Sequence, residues 1–145
     1  TYVPHKKNGV HSSIFATDPL VLVTCAANTV YQNGIYQSQL LEVPYFYCDF
    51  PFQELGSYIK SLFPKNHPFP LTMDRSANLL PFLTQGNGYS FLPHSLIAPF
   101  LVDGSLIAIN LLDFEVPPVN CYMEYCEDTP MLHRIMEFSK LLSIK

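Results

Sequence analysis

"GNGYSFLPHSLIAPFLVDGSL", residues 86–106, is the stretch on which the fold turns. It holds a glycine pair, a Leu-Pro step, an apolar run and an Asp-Gly turn, and almost no side chain able to do chemistry. Gly86 falls where a preceding helix must end, so it is expected in the left-handed conformation that glycine takes without steric cost. "YSFL" (89–92) reads as a strand, "HSLIAPFL" (94–101) as a short helix or turn, Asp103-Gly104 as a tight turn and "LIAINLL" (106–112) as another strand. The glycine pair is no nucleotide loop, because no third glycine follows and it precedes a strand instead of opening a helix. By itself the segment reads as scaffold that holds a sheet edge in place, with His94 a polar residue at a helix start.

Working outward, the chain alternates short strands and helices. "PLVLVTC" (19–25) and "PYFYC" (44–48) are apolar, β-rich runs of strand length. Pro51 then stands where a helix can begin, and Phe52, Leu55, Ile59, Leu62 and Phe63 recur at helical spacing until Pro64 stops them. "FPLTM" (69–73) reads as a further strand. Asp74 or Ser76 is expected to cap the helix after it, whose buried face carries Leu79, Leu80, Phe82 and Leu83. "VNCYMEYC" (119–126) is a last strand. Asp128 or Thr129 would then cap a terminal helix with Pro130 at its first position and Met131, Leu132, Ile135, Met136 and Leu142 along one side.

Composition removes several classes of function. The chain has 145 residues, about one domain by size, with 48% hydrophobic and only 14% charged residues. Ordinary soluble domains carry roughly 25% charged residues, so part of the apolar surface is expected to be covered by a second lobe or another copy. A net charge of −4 with eight scattered Lys and Arg argues against a nucleic-acid surface. The longest apolar stretch, Phe91 to Val102, is interrupted by Pro93, His94, Ser95 and Pro99 and falls short of a membrane span. Nothing resembles a signal peptide, and the opening on Thr1 leads us to expect a processed or excised piece. Cys25, Cys48, Cys121 and Cys126 lack zinc-site spacing and disulfide-scaffold density, so they read as small core residues in a reducing cytosol. No metal or cofactor is expected. Hydrolase, metalloprotease and phosphate-loop motifs are absent, and the histidines lie far apart without acidic partners, so no enzyme is expected.

The order of elements indicates an α/β lobe with a mixed, mostly parallel sheet flanked by helices. It also carries a resemblance. "GNGYSFLP", an apolar helix, "DGSL" with a strand, "PPVNCYMEY" and an amphipathic terminal helix together resemble the C-terminal half of the effector-binding domain of LysR-type transcriptional regulators. Upstream, "DPLVLVTCAANTV" is similar to the strand entering the family's second lobe, and "LLEVPYFYCDF" to its strand ending at the ligand cleft. Where many members carry His-Pro-Leu after the first of these strands, this chain has Asn28-Thr29-Val30.

The resemblance implies a type II periplasmic-binding-protein fold. Residues 1–18 would be the end of the first lobe and the crossover, with "TYVP" closing a first-lobe strand. Residues 19–126 would form the second lobe, and 127–145 a helix returning to the first. It further implies a cytoplasmic ligand-sensing domain that binds a small molecule between two lobes and controls DNA binding by a separate, missing N-terminal winged helix-turn-helix. Side-by-side homodimers or higher homo-oligomers are expected, with the face of Met131, Ile135 and Leu142 covered. The alternative is a lobe of a solute-binding protein of an uptake system.

In open α/β sheets, ligands sit beyond the carboxyl ends of strands, near helix N-termini. Tyr47, Cys48, Asp49 and Phe50 follow one buried strand, and Thr72, Met73 and Asp74 follow the next, so these are the expected effector-binding residues. Tyr47 and Phe50 would supply an apolar wall. A carboxylate at Asp49 would repel an anion, which favours an amine-bearing or hydroxylated effector. Asp49 and Asp74 also suit plain helix caps.

Overall fold

The structure, a computed structural model, describes residues 10–49 and 53–126, together with Arg134 and Glu137. "TYVP", Phe50, Pro51 and the apolar residues expected on the terminal helix lie outside the described residues. The chain divides into two compact units, Thr1–Asp18 with Pro118–Lys145, and Pro19–Pro117. In the first, β1 (Val10–Asp18) pairs antiparallel with β7 (Val119–Cys126), running from Val10 opposite Cys126 to Asp18 opposite Val119 with a register shift between Ile14 and Ala16.

The second unit is the α/β lobe. β2 (Leu20–Cys25) is the central strand of a three-stranded sheet, between β5 (Tyr89–Pro93) and β6 (Leu106–Ile109). β3 (Phe46–Cys48) pairs with β4 (Leu71–Met73), and a bridge between Tyr45 and Tyr89 brings that pair beside β5. β5 is therefore flanked on both sides, and the scaffold reading of an edge segment is corrected: the edges fall to β6 and β4. The sheet is mixed, as the fold requires, with a smaller parallel share than the strand and helix alternation suggested. β3 and β4 are parallel, as is the Tyr45–Tyr89 bridge, whereas β2 runs antiparallel to both neighbours.

The helices are short: α1 (Gln37–Leu40), α2 (Gln53–Ser61), α3 (Leu80–Gln85) and α4 (His94–Val102), with a 3₁₀ turn over Ser76–Leu79 leading into α3. Both sheet faces are covered, which explains the apolar runs in β2 and β5. Alternation along β3 divides the packing. Cys48 joins an aliphatic core of Val23, Leu79, Leu83, Leu92, Ile97 and Leu106, with Phe46 and Met73 packed against it. Tyr45 and Tyr47 contribute instead to an aromatic block: Tyr45 lies 4.8 Å from Phe63 and 6.0 Å from Phe91 between ring centres, and Tyr47 stacks on Phe69 at 5.1 Å. Each fully buried ring of this kind contributes about 1.5–3 kcal/mol through apolar burial.

Two local expectations are overturned. Arg75 is the residue preceding the 3₁₀ turn, and no side chain caps it, so neither Asp74 nor Ser76 is an N-cap. Ser76 lies inside the turn, where its hydroxyl meets the Cys48 thiol at 3.3 Å. Gly86 is extended, with φ −121°, not left-handed. A side chain is excluded there because a Cβ would stand 2.7 Å from the Phe82 carbonyl oxygen. At Gly88 a Cβ would overlap the Phe46 ring. The glycine pair thus serves close approach, while the turn glycine Gly104 does take positive φ, at 81°.

Candidate functional site

The parallel pairings turn three strand ends to one side of the sheet. Cys48 is opposite Met73, and the ladder continues as the Asp49 amide donates to the Met73 carbonyl at 3.2 Å. Asp49 therefore stands level with Asp74. On the other side, Tyr89 donates its amide to the Pro44 carbonyl at 2.9 Å beside the parallel Tyr45–Tyr89 bridge. Beyond that bridge the Phe91 amide donates to the Tyr45 hydroxyl at 3.2 Å, so the two strands are not laddered further along. Neighbouring paired strands lie about 4.8 Å apart, so Asp74 and Asp49 stand side by side across β4 and β3, and the parallel bridge turns the carboxyl end of β5, at Pro93, to the same side.

Pro93 passes directly into α4 at His94, whose amide donates to the Pro19 carbonyl at 2.8 Å. The start of β2 thus lies beside the end of β5, the two strands being antiparallel with Leu20 opposite Pro93. The positive end of the α4 dipole lies at this edge. Asp49, Asp74 and His94 are exposed. Two carboxylates side by side on an open sheet edge suit polar recognition more than covalent chemistry.

The other expected residues stand behind this edge. Tyr47 is 4% exposed, stacked on Phe69 on one side with the Lys60 ammonium 5.4 Å from its ring centre. Burial first, then Asp49 and Cys48, push its hydroxyl up to about 12, so it stays protonated. Cys48 is buried; burial, opposed by the Ser76 hydrogen bond and reinforced by Asp49 and Asp74, raises its thiol. Cys48 donates to the Asp49 carbonyl at 3.4 Å. A protonated, enclosed thiol is a poor nucleophile. Met73 is half-buried against the aliphatic core, Thr72 is exposed opposite Tyr47, and Phe50 lies outside the described residues. The structure therefore brings Asp49 and Asp74 together on the open edge and sets Tyr47, Cys48 and Met73 beneath them.

Sequence reasoning passed over Pro93 and His94. The available signal was a strand running into a helix with no loop between, which fixes the helix start at the strand's carboxyl end. Among the described residues no group of three or more His, Cys, Asp or Glu side chains is placed to hold a metal ion, and no helix is long and apolar enough to cross a membrane.

The sequence matches no family model and no curated protein sequence. Solved structures do match, among them regulatory domains of OxyR2, of OxyR and of the LysR-family regulator MetR. The reduced form of the OxyR2 regulatory domain from Vibrio vulnificus has a TM-score of 0.73 at 16% identity, over 98% of this chain and 68% of that one. The reduced OxyR regulatory domain from Pseudomonas aeruginosa has a TM-score of 0.71 at 14% identity, over 99% of this chain and 70% of that one. The regulatory domain of MetR, a LysR-family regulator from N. meningitidis, has a TM-score of 0.64 at 13% identity, over 99% of this chain and 69% of that one. The chain has the periplasmic-binding-protein-like fold of these domains.

Proposed function

We propose that the chain is the ligand-sensing part of a bacterial LysR-type transcription regulator, in which a small polar effector docks at the edge formed by Asp49, Asp74 and the Pro93–His94 step. The observation that carries the reading is the Asp49–Asp74 pair: two strand ends stand level where α/β sheets receive ligands, on the side to which the carboxyl end of β5 also points, and both carboxylates are open to solvent. The two carboxylates favour an effector presenting an amine or hydroxyl groups. Tyr47, Cys48 and Met73 hold the edge in place from behind. A regulator is favoured over a solute-binding lobe because the solved structures that share the fold are regulatory domains, and such a protein works in the cytoplasm. Effector binding would favour one arrangement of the domain over another, and a DNA-binding domain outside this chain would respond to that shift.

A thermal-shift screen of the full-length protein against small amines and polyols tests the reading. A compound that raises the melting temperature of the native protein is expected to bind roughly tenfold or more weakly to Asp49→Ala, the loss of one charge-assisted hydrogen bond of about 1.5–3 kcal/mol. A titration unchanged in both Asp49→Ala and Asp74→Ala removes the edge from the site. The coding sequence upstream of Thr1 separates the two protein classes: a winged helix-turn-helix supports the regulator, and a secretory signal peptide supports the uptake component.

A further inference from the structure

From the end of β6 at Ile109 to the start of β7 at Val119, residues 110–118 run without a helix and with a single bridge residue, Leu111. By this stretch the chain leaves the unit Pro19–Pro117. Its first part is rooted in the lobe. Ile35, fully buried, donates its amide to the Asn110 carbonyl and accepts from the Leu112 amide, both at 2.9 Å, around the parallel bridge to Leu111. Leu112 lies against Gly34, where φ is 127° and a Cβ would stand 2.5 Å from the leucine side chain, so glycine alone leaves room for it.

Beyond Leu112 the attachments change character. The Asp113 carboxylate accepts the Gln37 amide at the start of α1 at 2.8 Å, and the Glu115 carbonyl accepts the Tyr58 hydroxyl from α2 at 2.6 Å. Both bonds are exposed to solvent, with Tyr58 itself 39% exposed. Water competes for exposed groups of this kind, so these two bonds can open while the buried ladder on Ile35 stays shut. Pro117 and Pro118 follow, with fixed φ and no amide hydrogen, so a movement of the preceding residues is passed along the chain instead of being absorbed there.

We infer that residues 113–116 are a releasable strap, rooted at Leu112 and fastened by the Tyr58 hydroxyl, whose opening frees the chain's exit from the lobe while the core stays closed. The fastener is a side chain on a firmly seated helix. Leu55 and Ile59 of α2 are buried, so Tyr58 is held by the packing of α2 and reaches the strap from a fixed position. The root, by contrast, is made of backbone bonds that no single side-chain change removes. The strap therefore has one point at which it can be let go by chemistry, the phenol–carbonyl bond, and α2, which supplies that phenol, is the helix that follows the Asp49 edge in the chain.

Limited digestion of the full-length protein with an endoproteinase that cuts after glutamate is the test. Such an enzyme must take the Glu115 carbonyl into its own oxyanion hole, so it competes directly with the Tyr58 hydroxyl. Tyr58→Phe keeps the ring and removes only the bond, and cleavage after Glu115 is expected to quicken about fivefold, the factor that one net hydrogen bond is worth. Cleavage after Glu42, an exposed glutamate outside the strap, and the melting temperature are expected to stay unchanged. No effector is added, so a failure here leaves the reading of the Asp49 edge standing, and a failure of that reading leaves the strap. A Glu115 rate unmoved by Tyr58→Phe, a rise shared equally by Glu42, or native protein cut after Glu115 as fast as an isolated peptide of residues 110–120, overturns the strap.

Discussion

The strands β3, β4 and β5 are built in opposite ways at their two ends. At the carboxyl ends Asp49, Asp74 and His94 are exposed, with Asp49 hydrogen-bonded to the Tyr47 hydroxyl. At the other end the chain is closed. Thr24, fully buried, donates its hydroxyl to the Gly88 carbonyl at 2.8 Å and accepts from the Asn28 side-chain amide at 2.8 Å. The same amide reaches the Gly86 carbonyl at 3.2 Å. Gly88 lies against the Phe46 ring so tightly that any side chain would overlap it. One end is bound up in buried mutual contacts, and the other presents its carboxylates to solvent. Substitutions at the closed end should therefore cost stability, and those at the open end should leave stability nearly intact.

The largest effect is expected at Gly88. Gly88→Ala drives a methyl group into the Phe46 ring, and overpacking of this kind costs about 1–3 kcal/mol. A thermal melt or denaturant titration measures it. A loss below the usual spread of surface substitutions, about 0.5 kcal/mol, would break the contrast between the two ends.

Thr24→Val comes next. It keeps the volume but removes both the donor to the Gly88 carbonyl and the acceptor for Asn28, leaving a buried carbonyl unsatisfied at about 1–3 kcal/mol. Asn28→Ala removes the link to Gly86 while leaving the Thr24–Gly88 bond, and it is expected to cost less. If the two variants lose the same amount, the network acts as one unit anchored at Asn28, and the closure would have to be redrawn around that residue.

These residues also mark the limit of what the sequence disclosed. The strands β2, β3, β4 and β5 all fall inside apolar runs read as strands; in β2 and β5 burial on both faces leaves a continuous signal. The role of the glycine pair was hidden, since the constraint on Gly88 comes from Phe46, far along the chain, and no local pattern encodes a distant ring. β1 went unread for a local reason: its register shifts between Ile14 and Ala16, which breaks the alternation a strand would show. α1 is a single turn, Gln37–Leu40, too short for any helical period. The direction of β2 was equally hidden, because side-chain alternation is the same in parallel and antiparallel strands. At the site, Asp49 and Asp74 were legible from strand-then-helix order alone. His94 was not, because the bridge that turns the end of β5 to the same side joins Tyr45 to Tyr89, far apart in the chain.

Between the two ends lies Tyr47, and it sharpens the comparison through pH. Its hydroxyl is raised from 10.0 to about 12, chiefly by burial and then by Asp49 and Cys48. The folded protein holds a proton that the unfolded chain gives up, so this contribution to stability is complete below about pH 10 and is lost as pH climbs from about 10 to about 12. Tyr45 and Tyr89 are raised as well, mainly by burial, and act in the same direction. Tyr47→Phe removes one of these ionisations and is expected to move the alkaline unfolding midpoint upward by a fraction of a pH unit. An unchanged midpoint would mean that Tyr47 titrates freely and belongs to the open edge, not to the layer behind it.

The smallest expected effect tests that boundary at Cys48. Cys48 is 2% exposed, its thiol donates to the Asp49 carbonyl and meets the Ser76 hydroxyl, while Cys25 is only partly buried with its thiol on the Thr84 carbonyl at 3.3 Å. Burial raises the Cys48 thiol most; Asp49 and Asp74 raise it further, and the Ser76 hydrogen bond works against them. Alkylation proceeds through the thiolate, so in the native protein Cys25 should be labelled before Cys48 in a peptide-resolved mass-spectrometric time course. Removing the two negative charges with Asp49→Asn and Asp74→Asn lowers the thiol's pKa and should speed Cys48 labelling by a few-fold, whereas Ser76→Ala should slow it. Burial, the dominant cause, is untouched by all three changes, which is why the effect stays small. Equal labelling of Cys25 and Cys48 in the native protein would place Cys48 on the open edge and move the limit of the candidate site one residue deeper along β3.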